Sequence, residues 1–512
     1  MRGNRTDNAI KNAGASLALR AVSILSQFVL RTVFLRVLGN EYAGMTGLFT
    51  DILTVLSLAQ LGLETSLVYS LYGPLARNDE AHAATLLAFY RRAFRAAAVA
   101  ELAAGCLCAP FLSIITGGLP AVKEDFRLVF LLYVVYTSAS CLMADRAALL
   151  KAEQRGRVVS VCSIAVQAAE CAVSVWYLLA FRRFVGWLVV HIGFNLLKSL
   201  LLCFAADRTH PQLRRADLLL PKEERNLLLR RFLCLTAYYV SGAAVYSTDS
   251  IFISRFLGPA QVAVAGNYSL IVGSVRACAE QAAAAVRPSV GHLAVDGAPE
   301  KQIQVFQRMN LAAFIAACWG SACLLTLLNP FIGEIWLDAS YCFPAGTAAL
   351  ITADFYIALM VFPVEAFRNA NGLFLRGWCR PLATAGLNLL LDAVLGRYWG
   401  FNGIFLATAL SRLLTQVWFE PLLLYRRAFG AGVRRYYGDY ALKALFAVAV
   451  CGATYGCASL FDLPDVLLSF GCRVAVCLVL PPFILWIVCR KSAEWAALKR
   501  AGLDFMKRTL KK

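Results

Sequence analysis

Histidine is scarce in this sequence. Only His82, His191, His210 and His292 occur among 512 residues, and they lie far apart. A catalytic site built on histidine therefore has little to rest on. Cysteine is plentiful, at seventeen, yet no two stand as a CxxC pair, and the tightest spacing is Cys106 with Cys108. Zinc sites need clustered ligands, so no metal and no cofactor are expected. The cysteines read as small packing residues with no disulfide framework. Long loops are also missing on one side of the hydropathy pattern, where the longest stretch is "NPFIGEIWLDASYCFP". That leaves no room for a folded catalytic or receptor domain. A membrane glycosyltransferase or ligase is the rival reading from another class. It calls for a sizeable loop and a carboxylate or histidine cluster, and neither is evident, so no enzyme is expected.

What the chain has is apolar surface. Mean hydropathy is +0.64 and 60% of residues are hydrophobic, against about 45–50% in soluble domains. Apolar runs of about 20 residues, each long enough to span a bilayer as a helix, recur from end to end. The expectation is an all-α membrane protein with about fourteen transmembrane helices. The run at 13–38 follows Arg2, Arg5 and Lys11 but is too long for a signal peptide and ends in no small-residue cleavage site. It reads as an uncleaved first helix.

The net charge of +19 does not point to nucleic acid. Most Lys and Arg sit in short loops such as "RNDEAH", "KAEQRGR" and "YRRAFGAGVRRYYGDYALK". That is the pattern of cytoplasmic membrane loops, and it puts both termini on the cytoplasmic side. The opposite side holds short turns such as "LGNEYAG" and "LGPAQ". Two cytoplasmic segments look amphipathic: "LRRADLLLPKEERNLLLRRF", and a tail in which Trp495, Leu498, Leu503, Met506 and Leu510 share one face. Both read as interfacial helices on an anionic leaflet.

The chain nearly repeats itself. Arg36-Val-Leu-Gly39 aligns with Arg255-Phe-Leu-Gly258, and the same register pairs Gly47 with Gly266 and Phe49 with Tyr268. Both copies fall at an expected outward end, before a short turn and a returning helix. A parallel repeat of about six helices is a transporter architecture. The expected division is an N-lobe at 1–210, a cytoplasmic linker at 211–228, a C-lobe at 229–428, two further helices at 429–490 and a basic tail at 491–512, the two lobes flanking a central cleft.

Charges inside the apolar runs call for an explanation, because each costs roughly 2.5–3.5 kcal/mol at the bilayer centre on insertion scales. Their helical phase supplies one. Ser16, Arg20, Ser23, Gln27 and Arg31 share a face of the first helix. Thr50, Thr54, Ser57 and Glu64 share a face of the second, with Asp51 beside it. Tyr238, Ser241 and Asp249 align on the seventh, with Arg255 nearer its outer end. Ser269, Gly273, Arg276, Glu280 and Arg287 align on the eighth, where Arg276 and Glu280 are spaced to pair. The stripes are expected to line a water-filled path. Arg20, Gln27, Arg31, Arg255, Arg276 and Arg287 are the candidate substrate contacts, since arginine holds phosphate bidentately and stays charged. Asp51, Glu64, Asp249 and Glu280 are candidates for gating, ion pairing or binding a coupling cation. A path for cationic drugs would need acidic residues to dominate. Glu101, Glu170, Lys198, Asp354, Glu365, Arg368, Asp392, Arg412 and Glu420 also lie in or near spans, and the alternative for any of these charges is an internal ion pair.

With "LRVLGNEYAGMTGLFTDILTVLSLAQLGLETSLVYSLYGPLA", "STDSIFISRFLG", "VAGNYSLI", "PSVGHLAV" and the stretch from "FRNANGLFLRGWCRP" to "EPLLLYRRAF" in this order, the chain resembles the bacterial polysaccharide-biosynthesis (O-antigen-type) oligosaccharide flippases of the multidrug/oligosaccharidyl-lipid/polysaccharide exporter superfamily. The resemblance implies two six-helix lobes, two added helices and alternating access in the bacterial inner membrane. It implies an undecaprenyl-diphosphate-linked oligosaccharide moved from the inner to the outer leaflet, with membrane lipids and polysaccharide assembly proteins as partners. His292 and Asp392 stand where family members often carry Asn and a small residue. A multidrug or small-solute exporter and a lipid II flippase are the alternatives within transport.

Overall fold

Every regular element among the described residues is helical. A computed structural model describes residues 2–77, 79–118, 122–153, 156–209, 220–284, 290–291, 293–294, 298–373, 377 and 379–500. The chain divides into two compact units, Met1–Gly266 and Asn267–Lys512.

The first unit holds α1 (Arg2–Leu38), α2 (Asn40–Leu56), α3 (Leu58–Ala76), α4 (Glu80–Cys108), α5 (Phe126–Cys141), α6 (Ala144–Ala152), α7 (Gly156–Phe181), α8 (Phe184–Thr209), α9 (Lys222–Leu257) and the first turns of α10 (Pro259–Ala284). Two of its spans are broken. α2 and α3 meet at 54°, and α5 and α6 at 41°. At the first break the Ser57 hydroxyl bonds back to the Leu53 carbonyl, a local bond that competes with the helix ladder and bends it. α1 packs on α7, α7 on α8, and α9 on α2 and α3. Leu67, Tyr90, Phe94 and Cys141 centre one core cluster. Phe49 of α2 packs against Phe126, Phe130 and Tyr133 of α5 at 4.9, 5.2 and 5.9 Å.

α9 starts at Lys222, inside the segment read from sequence as a linker. Pro221 occupies its N-cap, and Glu223 and Glu224 fill its first turn, where negative charge suits the helix dipole. Leu228 then packs into the α3–α4 core. Residues 213–219 of the amphipathic segment and 501–512 of the tail lie outside the described residues.

The second unit holds α11 (Pro299–Pro330), α12 (Ala345–Ala370), α13 (Cys379–Arg412), α14 (Arg434–Ala458) and α15 (Val466–Cys489). α11 is its hub and packs on α12, α14 and α15. α13 is two helical arms joined at Gly400, whose φ is 53°. The second arm runs on in helical turns to Phe429.

Among the described residues, nine helices are long and apolar enough to cross a membrane, or up to eleven with each broken pair taken as one span. α9 and the two arms of α13 lie outside that set, and a total of fourteen spans stays a proposal. Leu442, Leu445 and Val448 form an outward stripe on α14, each about 70% exposed. Side chains like these suit lipid rather than water. The chain is a multi-pass membrane protein.

The sequence repeat has a backbone counterpart. Gly39 ends α1 with φ 84° and ψ −176°, and Gly258 ends α9 with φ 100° and ψ 157°. Each amide bonds back four residues at 3.0 Å, to Leu35 and Ser254. Residues with a Cβ avoid this region, so Gly258→Ala is expected to cost about 1–3 kcal/mol. Thermal unfolding of the purified protein would measure that loss.

Candidate functional site

The polar stripes of α1 and α9 meet the opposite repeat's second helix. On α1, Arg31 Nη2 donates to the Ala263 carbonyl of α10 at 2.8 Å, and its guanidinium lies beside Gly266. In the repeat register Arg31 corresponds to Ser250 of α9. There, Ser247 and Ser250 stand beside Asp51 of α2. Thus α1 reaches α10 and α9 reaches α2 through polar side chains, and buried Asp249 stands on the same turn of α9.

This meeting is tight because it is lined by glycine. A Cβ on Gly44 would stand 2.0 Å from the Pro259 carbonyl oxygen, and one on Gly117 would stand 2.5 Å from that of Arg255. Ser254 Oγ donates to the Thr116 carbonyl at 2.9 Å. All of these contacts gather at the Gly39–Gly258 end of the first unit.

The remaining sequence candidates divide. Arg20 and Gln27 on α1 and Arg255 at the end of α9 are exposed. Glu64 of α3 is engaged by Lys151 of α6. In the second unit, Arg276 Nε lies 3.3 Å from Glu280 Oε1, the spacing read from sequence, and Arg276 also feels Asp354 of α12. Arg287 lies outside the described residues, as do His292 and the side chains of Ser16, Tyr238 and Ser241. The structure therefore places Arg31 and Arg255 toward the Gly39–Gly258 end of the first unit, Asp51 and Asp249 deeper along α2 and α9, and Arg276 with Glu280 in the second unit.

Several other in-span charges are held by polar partners, mostly as ion pairs. Glu420 receives Arg368 and, at 2.5 Å, Arg380. All three are at least nine-tenths buried at the side chain. Arg412 Nε lies 3.3 Å from Asp354 Oδ1, and Gln416 donates to Glu365 at 2.7 Å. Their geometry locks α12 to α13 and its continuation.

Sequence reasoning missed one polar site in the first unit. α1, α7 and α8 enclose a cavity of about 250 Å3. His191 Nδ1 of α8 lies 2.6 Å from Glu170 Oε1 of α7. Lys198 donates to Asn195 Oδ1 at 3.2 Å, and Asn195 donates to the His191 carbonyl at 2.9 Å. Ser23 Oγ of α1 donates to Gln167 Oε1 at 2.7 Å, and Ser26 and Gln27 line the same space. A signal was there: Ser163, Gln167 and Glu170 on one helix and His191, Asn195 and Lys198 on the next share the i, i+4, i+7 spacing of a single face.

Broken helices, in-span polar stripes and outward apolar faces define a multi-pass helical membrane protein. No protein-family model and no curated protein matches the chain. Solved structures do. The chain is similar to a lipid II flippase, MurJ, in an inward closed conformation, with a TM-score of 0.64 and 14% identity over 94% of this chain and 99% of that one. It is similar to the MATE multidrug transporter DinF-BH, at 0.61 and 14% over 83% and 96%. A multidrug resistance MATE family transporter of the MOP superfamily, in an outward-facing conformation, scores 0.59 at 12% over 82% and 95%. At such identities the likeness establishes the fold alone, one shared with these solved structures.

Proposed function

We propose that the chain is an alternating-access flippase for a lipid-linked saccharide diphosphate in the bacterial plasma membrane. The observation that carries this reading is the arginine content of the polar stripes. Arg20, Arg31, Arg255, Arg276 and Arg287 give an anionic cargo fixed, bidentate partners. Gln27 and the neighbouring hydroxyls suit sugar groups. Glu280 holds or releases Arg276 as the cargo comes and goes, and Asp51, Glu64 and Asp249 serve gating or a coupling cation. The prenyl chain stays in lipid, and no covalent bond is made or broken.

The cargo in this reading is an undecaprenyl-diphosphate-linked oligosaccharide repeat unit. Lipid II is a second reading. It is favoured by the nearly full-length likeness to the lipid II flippase, 94% of this chain, where the multidrug transporters compared above cover 82–83%. A cationic-drug exporter fits less well because basic residues outnumber acidic ones in the stripes.

Reconstituted vesicles with a fluorescent lipid-diphosphate sugar test the proposal. Wild type is expected to move the lipid between leaflets. Arg20→Ala, Arg31→Ala and Arg276→Ala, each monodisperse after purification, are each expected to be at least about tenfold slower, the equivalent of one lost charge-assisted contact of ~1.5–3 kcal/mol. Equal rates would make the arginines struts, and dye export without lipid movement would favour the drug-exporter reading.

A further inference from the structure

In the second unit, α12 and α14 both pack on α11 and meet each other at Tyr356 and Tyr440, whose ring centroids are 6.5 Å apart. From that contact toward Ala345 and Ala458 they leave a crevice of about 620 Å3, within the size range of ligand sites. Leu325 of α11 forms part of its floor. Its walls are small residues, Ala348 and Ala349 of α12 and Gly452 and Ala458 of α14. The crevice opens sideways. Gly452 follows Leu445 and Val448 at helical spacing, so the stripe on α14 that suits lipid runs to it. A Cβ on Gly452 would meet open space. One end of the crevice is charged. Asp465 caps α15 by accepting from the amides of Leu467 and Leu468 at 2.9 and 3.1 Å, and Arg473 stands about two turns later. Past Pro330, α11 continues as a π-helical turn, Phe331–Trp336, which carries Glu334. Arg473 Nη1 lies 3.2 Å from Glu334 Oε1, and Nη2 lies 3.2 Å from Asp462 Oδ1. One mostly buried guanidinium thus serves two exposed carboxylates, which leaves an excess of one negative charge. The proposed cargo path uses none of these residues.

We propose that this crevice holds one phospholipid whose headgroup carries a primary ammonium, with an acyl chain between α12 and α14 and the headgroup at Glu334, Asp462 and Arg473. An apolar crevice open to the side suits a chain, and the charged end selects the headgroup. The ammonium donates to the Asp462 carboxylate, and the adjacent phosphate accepts from the part of the Arg473 guanidinium that Asp462 gives up. A zwitterion therefore exchanges one ion pair for two and leaves the net charge as it was. A phosphatidylglycerol headgroup brings only negative charge to a mouth that already has an excess of it. A trimethylammonium headgroup has no N–H to donate. The lipid is a resident of the second unit and not its cargo, so this inference stands apart from the transport reading above.

Native mass spectrometry of the full-length protein tests the site. The protein is equilibrated in detergent with equal amounts of phosphatidylethanolamine, phosphatidylglycerol and phosphatidylcholine of the same acyl chains, and the retained lipid is counted. Wild type is expected to keep one phosphatidylethanolamine, favoured over each of the others by about fivefold, the scale of one partly exposed ion pair. Glu334→Gln combined with Asp462→Asn leaves Arg473 as the only charge of the three. Its preference should reverse to phosphatidylglycerol by a similar factor, an outcome that misfolding does not produce. Gly452→Trp fills the crevice and should lower phosphatidylethanolamine occupancy by at least about fivefold, the cost of overpacking, with Gly452→Ala close to wild type. Glycerophosphoethanolamine, the same headgroup without chains, should not displace the lipid at equal concentration. A wild type that retains the three lipids equally or keeps none, or an ethanolamine preference that survives the double variant, overturns the headgroup assignment. Unchanged occupancy in Gly452→Trp, or displacement by glycerophosphoethanolamine, overturns the crevice as the seat of the chain.

Discussion

Glu420→Ala should be the most damaging single substitution in the second unit, at about 3–5 kcal/mol, the usual cost of breaking a buried ion pair by removing one partner. Glu420 is 1% exposed and faces two arginines at once, Arg368 from α12 and Arg380 from the start of α13. Without it, two buried guanidinium groups remain close together and lose the carboxylate they share. Arg380→Ala should cost less, since Arg368 still neutralises the carboxylate. Replacing all three by apolar residues of similar volume should restore most of the loss, because burial of the charges is itself a cost that the pair only offsets. Thermal unfolding followed by fluorescence-detected size exclusion would rank the variants. A Glu420→Ala protein as stable as the triple apolar variant would show that the triad is hydrated and carries little of the packing between α12 and α13.

The same triad shows where reading the sequence stops. Periodicity assigns a residue to a helix face, and Arg31 and Asp51 each meet polar groups of a neighbouring helix. It does not say which distant residue completes the contact. Glu420 lies 52 positions from one arginine and 40 from the other, and nothing local marks the three as partners. Glu64 illustrates the point from the other side: its stripe suggested a path-lining acid, and the structure gives it Lys151, 87 residues away. The repeat was legible because its signature is backbone chemistry. Only glycine occupies the conformation of Gly39 and Gly258 comfortably, so the two glycines stand out in an apolar background. The start of α9 was less legible, since a basic, leucine-rich segment reads equally well as an interfacial helix or as the cytoplasmic end of a long span. The His191 site was missed for a further reason. A search for catalytic or metal histidines looks for histidine clusters, whereas this cavity is built from one histidine, one carboxylate and a run of amides whose spacing repeats on two neighbouring helices.

Gly44→Val is expected to open the Gly39–Gly258 end of the first unit and to slow transport with it. Gly44 lies against the Pro259 carbonyl with no room for a Cβ, and backbone on both sides cannot rotate away as a side chain would. Forcing extra carbon atoms into such a contact costs about 1–3 kcal/mol. Two conformations of one protein commonly differ by only a few kcal/mol. That overpacking therefore shifts the balance between the closed and the open end by about 5–150-fold, since each 1.4 kcal/mol is a factor of ten. The contacts released together would be Arg31 to Ala263, Ser254 to Thr116 and Asp51 to Ser247 and Ser250. Hydrogen–deuterium exchange reads this directly. The amides of Gly258 and Gln261, bonded to Ser254 and Gly258 at 3.0 and 3.2 Å, should exchange faster by about that factor, with the core around Leu67 and Tyr90 unchanged. In the alternating-access reading proposed above each cycle closes and opens this end, so a chain held open should also move its cargo several-fold more slowly. Faster exchange with undiminished transport would mean that the glycine seam is a packing feature outside the transport cycle. Unchanged exchange would mean that α2 and the α9–α10 turn already separate freely, and Arg31 would then have no closed state to hold.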